Sequence, residues 1–203
     1  MKVLGITGGT GSGKSTVCAI LSEYGAEIID SDSIAREVVA KGKEALGEIA
    51  AYFGKEVIDP KGELDRRKLA SIVFNSREKL EVLNGITHKY IIERILHRVE
   101  TARREKKRLA VIDAPVPVKH GFMDIADEIW VVCADRDKRI ERIMGRSGLT
   151  REEALARIRS QKKDEDYLKL ADVVIYNNNG LAGLKRRIEE LLSERSLLPR
   201  RSL

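Results

Sequence analysis

Eight residues near the start of this 203-residue chain constrain its fold more than any others. Gly8-Gly9-Thr10-Gly11-Ser12-Gly13-Lys14-Ser15 fits the pattern G-x-x-x-x-G-K-[ST]. The run before it, Val3-Leu4-Gly5-Ile6-Thr7, is apolar and stops at glycines, as a buried central strand entering a tight turn does. After it, Val17, Ile20, Leu21 and Tyr24 recur at helical spacing, with Gly25 as the stop signal. Strand, glycine loop and helix in that order make an anion cradle. Glycines let successive N–H groups turn inward around phosphate oxygens, and the helix adds its unpaired amides and dipole. In such a cradle Gly11, Ser12 and Gly13 line the phosphates and Lys14 neutralises charge on the β- and γ-phosphates. The Ser15 hydroxyl binds Mg²⁺, and Thr16 reaches the α-phosphate side. Asn177-Asn178-Asn179 lacks the Lys and the Asp of a guanine-reading N-K-x-D segment, which disfavours GTP.

Four further apolar runs read as strands: Ala26-Glu27-Ile28-Ile29, Leu109-Ala110-Val111-Ile112, Ile129-Trp130-Val131-Val132-Cys133 and Val173-Val174-Ile175. Helical patterns separate them, so the expected class is α/β, with a five-stranded parallel sheet flanked by helices. Between the second and third strands the pattern is helical throughout. Leu46, Ile49, Ala50 and Phe53 form one apolar face, Leu69, Ile72 and Val73 another, and Ile91, Ile95 and Val99 a third. The expected organisation is a single domain over 1–203. Its core covers about 1–45, 107–138 and 168–195, a helical insert about 46–106, and a short lid about 139–167. Within the lid, Thr150-Arg151-Glu152-Glu153 reads as a capping box opening a helix. The tail from Ser196 to Leu203 loses helical periodicity and is expected to fray.

The net charge of +6 would suit nucleic acid, anionic lipid or small phosphorylated ligands. Aromatic residues make up only 4% and the basic residues are interspersed with acids, which speaks against a base-stacking nucleic-acid surface. Cys18 and Cys133 read as reduced core thiols. No leader pattern and no membrane-length apolar run is seen, so a cytoplasmic protein without membrane partners is expected, as a monomer or small homo-oligomer.

In open α/β sheets ligands bind beyond the carboxyl ends of the strands, where Asp30, Asp32 and Asp113 all fall. Phosphoryl transfer to a hydroxyl needs one carboxylate for the acceptor proton and another acid to hold the metal's water shell. Asp32 is assigned the first task and Asp113 the second. Asp32 could also cap a helix beginning near Ser33, and Asp30 is open as a structural residue or an alternative base. In the lid, Arg142 and Arg146 are the arginines expected on the phosphates, with Arg139 and Arg157 behind them.

Thr7 to Thr16, followed by Ile29-Asp30-Ser31-Asp32-Ser33-Ile34-Ala35-Arg36-Glu37-Val38-Val39, resembles the opening of the dephospho-CoA kinase family. The resemblance continues through Gly62-Glu63-Leu64-Asp65-Arg66, Phe74, His88, Asp113-Ala114-Pro115, Gly148 to Ala154, Arg157-Ile158 and Gln161, ending near Gly180. It implies a P-loop kinase fold and transfer of the ATP γ-phosphoryl to the ribose 3′-hydroxyl of dephospho-CoA, with Mg²⁺ as cofactor. It further implies that Asp32 is the catalytic carboxylate, served by Lys14 and Arg142, and that the helical insert binds the acceptor. Arg36, His88 and Asp113 would contact that acceptor, and Asn177 would lie beside the adenine of ATP. Three departures stand out: Val116-Pro117-Val118-Lys119 after Pro115, Lys89 where the family has Pro, and Tyr176 where it has Asp. The rival readings are another P-loop nucleoside or nucleoside monophosphate kinase and a nucleic-acid-associated ATPase.

Overall fold

The computed structural model describes residues 1–74, 76–114 and 122–198. Five strands, β1 (Lys2–Thr7), β2 (Glu27–Asp30), β3 (Leu109–Asp113), β4 (Glu128–Cys133) and β5 (Val173–Tyr176), form one parallel sheet in the order β2-β3-β1-β4-β5. Each matches an expected apolar run to within a residue or so at either end. Such a sheet is covered on both faces, which is why its strands read as continuous rather than alternating hydrophobic stretches. Leu4 pairs with Val111 on one side and Glu128 on the other, placing β1 between β3 and β4.

The chain separates into two compact units, residues 1–29 with 99–203, and residues 30–98. In the first, α1 (Lys14–Glu23) and α9 (Gly180–Glu194) supply Val17, Ile20, Leu21, Leu184, Ile188 and Leu191 to a core built on Leu4, Ile6, Val111, Trp130 and Ile175. Each fully buried aliphatic side chain contributes about 1.5–3 kcal/mol, and this cluster anchors β1 and hence the loop that follows it. Arg195, capping α9, is bound through Nη2 to Glu128 Oε1 at 2.6 Å and lies 5.5 Å from the Trp130 ring centroid.

Three short helices, α6 (Arg136–Ser147), α7 (Arg151–Arg159) and α8 (Asp164–Leu168), occupy the expected lid segment, and the first two share a small core of Ile140, Ile143 and Ala154. Gly148 ends α6 at φ 64°, a left-handed position suited to glycine. The capping box is present: Glu153 N–H donates to Thr150 Oγ1, and Thr150 N–H to Glu153 Oε2.

The chain does not fray at Ser196. Leu197 N–H donates to Leu192 O at 2.8 Å, and Leu197 and Leu198 pack on the core. Apolar burial holds these residues where helical periodicity has already ended. Residues 199–203 lie outside the described residues.

The second unit contains α2 (Ser31–Glu37), α3 (Glu44–Phe53), α4 (Arg66–Val73) and most of α5 (Arg77–Arg104), with only an isolated bridge between Ile58 and Leu64 among its described residues. Leu46, Ile49 and Phe53, Leu69 and Val73, and Ile91 and Ile95 are buried, so the three apolar faces read from the sequence are inward faces. Lys89 Nζ and Tyr90 Oη each reach Glu48 Oε1 at 2.7 Å, and Arg94 pairs with Glu37 at 2.8 Å, tying α5 to α3 and α2. Among the described residues no helix is long and apolar enough to cross a membrane.

Candidate active site

β1 delivers the chain into the glycine loop at the carboxyl edge of the sheet, between its two neighbouring strands. Gly11 and Gly13 take φ of 77° and 97°, conformations that glycine adopts without a Cβ penalty. Space is as restrictive as conformation. A Cβ on Gly8 would collide with Val132 O, and one on Gly13 with the Asn177 side-chain amide. Gly9 has no left-handed angle to require glycine, yet a Cβ there would fall on Arg139 Nη2.

The amides of Gly11, Gly13, Lys14 and Ser15 have no protein acceptor among the described residues. The first turn of α1 carries no acidic residue to compete for them. The Ser12 hydroxyl is buried and unpartnered among the described residues, as is that of Thr7. Buried polar groups are normally satisfied, so this concentration of donors fits an anionic ligand. Lys14 Nζ forms an ion pair with Asp113 Oδ1, both side chains being largely buried. Asp113 ends β3 in register with Ile6, which places a carboxylate beside the loop's lysine. Ser15, one residue further, is exposed in the first turn of α1.

The outer side of the loop is bound just as closely. Arg139 Nε donates to Thr10 O at 2.9 Å. Arg142 Nη1 lies 3.2 Å from Gly11 O and 3.1 Å from Ser12 O, while its Nη2 donates to Asn177 O at 2.8 Å. Asn177 is 5% exposed and donates from Nδ2 to Ser12 O at 2.9 Å. Thus Arg142 and Asn177, expected on phosphate and adenine, engage the loop's own carbonyls. Arg146, at the end of α6, and Arg157, on α7, are exposed. Two participants carried no assigned role in the sequence reading. Gln161 Oε1 accepts from Thr10 N–H at 2.7 Å, and Asp164 holds Arg139 Nη1 at 2.8 and 3.1 Å. Gln161 lies within the family-like segment; Asp164 has no local signature. Cys133 is half-buried beside this network, and burial, aided by Asp164, pushes its thiol pKa up.

In the helical unit, the cap of α2 is Asp30, whose Oδ1 accepts the amides of Asp32 at 2.9 Å and Ser33 at 3.2 Å. The helix begins at Ser31, two residues before the start considered from sequence, so Asp32 falls inside the first turn. Its carboxylate is exposed, and Arg36, four residues on, shares its helix face and exposure. A cavity of about 390 Å³ opens beside the end of α2, lined among others by Glu37, Lys43, Tyr90, Arg94 and His97. His88 is partly buried on α5, and burial lowers its pKa. Lys89 is engaged by Glu48, and Tyr176 is 65% exposed. Pro115-Val116-Pro117-Val118-Lys119 lies outside the described residues.

Among the described residues no group of three or more His, Cys, Asp or Glu side chains gathers to hold a metal. The Ser15 hydroxyl and the Asp113 carboxylate nevertheless fit Mg²⁺, which is commonly held by one or two protein groups together with substrate phosphates rather than by a protein cage.

Comparison with known proteins identifies the family. The family model for dephospho-CoA kinase matches residues 2–183. A dephospho-CoA kinase of Carboxydothermus hydrogenoformans is 40% identical over 194 residues, covering 96% of this chain and 94% of that protein. Among solved structures, a Thermus thermophilus protein superposes with a TM-score of 0.78 at 35% identity, over 95% of this chain and 97% of the other. The dephospho-CoA kinase from Campylobacter jejuni superposes with a TM-score of 0.71 at 29% identity, over 97% and 98%.

Proposed function

Because this chain belongs to the dephospho-CoA kinase family, whose members transfer a phosphoryl group from ATP to dephospho-CoA in coenzyme A synthesis, we propose how its own residues divide that reaction. The carrying observation is the set of four loop amides without protein acceptors next to Lys14. They bind the triphosphate of ATP, and Lys14 neutralises its β- and γ-phosphates. The other P-loop kinases considered from sequence are not favoured, since the family match runs through the helical unit as well as the loop.

The ribose 3′-hydroxyl oxygen of dephospho-CoA forms a bond to the γ-phosphorus as the bond to the β–γ bridging oxygen breaks, and ADP leaves. Asp32 takes the hydroxyl proton. Its carboxylate is free to do so because Asp30 performs the capping. Arg36 and His88 contact the acceptor, Asp113 serves the metal's water shell and borders the acceptor, and Arg146 meets phosphate. When bound through Ser15 and the phosphates, Mg²⁺ supplies charge neutralisation on the transferring group. ATP and dephospho-CoA are the partners; the enzyme is cytoplasmic, a monomer or small homo-oligomer, and independent of nucleic acid and membranes.

The test compares turnover of dephospho-CoA, nucleosides and nucleoside monophosphates with Mg-ATP. Dephospho-CoA should be strongly preferred, and its failure to react would defeat the assignment. Asp32→Asn should lower kcat by roughly 10²- to 10⁴-fold, with ATP affinity held within about twofold. Turnover near that of the parent would remove Asp32 from the proton-accepting role.

A further inference from the structure

Thr10 is held on both sides of its backbone by residues more than a hundred positions away. Its N–H goes to Gln161 Oε1 and its C=O to Arg139 Nε. Arg139 is 5% exposed and its other arm is fixed by the Asp164 carboxylate, which is itself 57% exposed. Its guanidinium also occupies the space where Gly9 would carry a Cβ, and its backbone O stands 2.7 Å from the Cβ position of Gly11. Gly9 is therefore matched to the guanidinium, while Gly11 is confined by its left-handed φ and by the main chain at position 139. A guanidinium buried to this degree, with its hydrogen bonds spent on one loop carbonyl and one carboxylate, is placed to hold backbone in a fixed orientation.

We infer that Arg139 is a positioning residue for the phosphate loop: held by Asp164, it keeps the Thr10 carbonyl turned outward so that the following amides face the nucleotide. In this role the side chain acts on the loop's backbone rather than on phosphate. Gln161, gripping the N–H of the same residue, prevents rotation of the Gly9–Thr10 side of the loop in the other sense, so the α6 and α7–α8 segments jointly set the loop's geometry. This rests on the reading of the loop as the ATP site, and the test uses ATP alone so that failure of the acceptor assignment does not enter.

Calorimetric titration of ATP into the folded protein, with thermal melts as the control, compares the parent, Arg139→Met, Gly9→Ala and the double variant. Arg139→Met should weaken ATP binding by roughly 10- to 100-fold, the range for losing a charged hydrogen bond that organises the site. It should raise KM for ATP while leaving KM for dephospho-CoA within about twofold. Gly9→Ala should weaken ATP binding in the parent by displacing the guanidinium, but add less than about twofold once Arg139 is already Met. Full additivity of the two changes would mean that the new methyl group obstructs the nucleotide directly, and would overturn the inference. So would an Arg139→Met affinity within twofold of the parent. Should Arg139→Met not fold, Asp164→Ala takes its place: that carboxylate is more than half exposed, and its loss should still weaken ATP binding a few-fold. Unchanged affinity in that variant overturns the proposal. Absence of ATP binding by the parent would remove both the premise and the inference.

Discussion

Replacing Arg195 by Met should destabilise the protein in a way that depends on pH. Glu128 opens β4 and is contacted by Arg195 through Nε at 2.8 Å to Oε2 and Nη2 at 2.6 Å to Oε1, with Lys2 Nζ 3.0 Å from Oε2. The Arg195 hydrogen bonds hold the Glu128 carboxyl at about 2 against an ordinary value of 4.5, Lys2 assisting and burial opposing. At about 1.4 kcal/mol for each tenfold change in proton affinity, that difference corresponds to a ceiling of about 3 kcal/mol of folding stability. Lys2 remains in the variant, so a loss of about 2 kcal/mol is expected, or roughly 4–8 °C in Tm for a chain of this size. The sign follows from the lowered pKa. The contribution is complete above pH 4.5 and disappears as pH falls towards 2. Urea denaturation of parent and variant at a series of pH values reads the difference directly, because the other carboxylates titrate alike in both. A gap between the two proteins that stays constant from pH 7 to about 2.5 would refute the linkage argument, even if the variant were less stable.

Lys14→Met should abolish measurable turnover and weaken ATP binding at least about 100-fold, as removal of the charge facing the β- and γ-phosphates requires; titration calorimetry and a coupled ADP assay check both. Asp113→Asn should raise the Mg²⁺ concentration needed for half-maximal rate several-fold, about 1 kcal/mol, and an unchanged Mg²⁺ dependence would remove it from the metal's surroundings. Asn177→Ala deletes a buried bond to Ser12 O that Arg142 also serves. The expected cost is about 1 kcal/mol, visible as an increase of roughly fivefold in KM for ATP with kcat little changed.

The sheet and the loop were legible because each is written in adjacent residues. Five apolar runs, a cluster of glycines and a Lys-Ser pair carry their meaning locally. Arg142 and Asn177 show where that legibility ends. Residue type marks a guanidinium as a phosphate binder, but the bonds that Arg142 and Asn177 also make to the carbonyls of Gly11 and Ser12 have no letter in the sequence. Asp164 was invisible for a different reason: its partner, the Arg139 side chain 25 positions away, lies on another helix. Asp30 was ambiguous for the opposite reason. Asp30-Ser31-Asp32-Ser33 offers four consecutive competent caps, and only the observed bonds to the Asp32 and Ser33 amides decide among them. The roles of Asp32, Arg36 and His88 depend on an acceptor rather than on packing, so the shape of the helical unit alone does not assign them.

The belt around the glycine loop bears on the order in which the protein becomes competent as it is made. The loop is made more than a hundred residues before the groups that fasten its outer rim, Arg139, Arg142, Gln161 and Asn177. Strand β1 likewise waits for β3 and β4 before it has a neighbour on either side. A nascent chain carrying only its amino-terminal half therefore has the motif without the grip. A chain interrupted before Asn177 carries the glycine motif with its rim incompletely fastened.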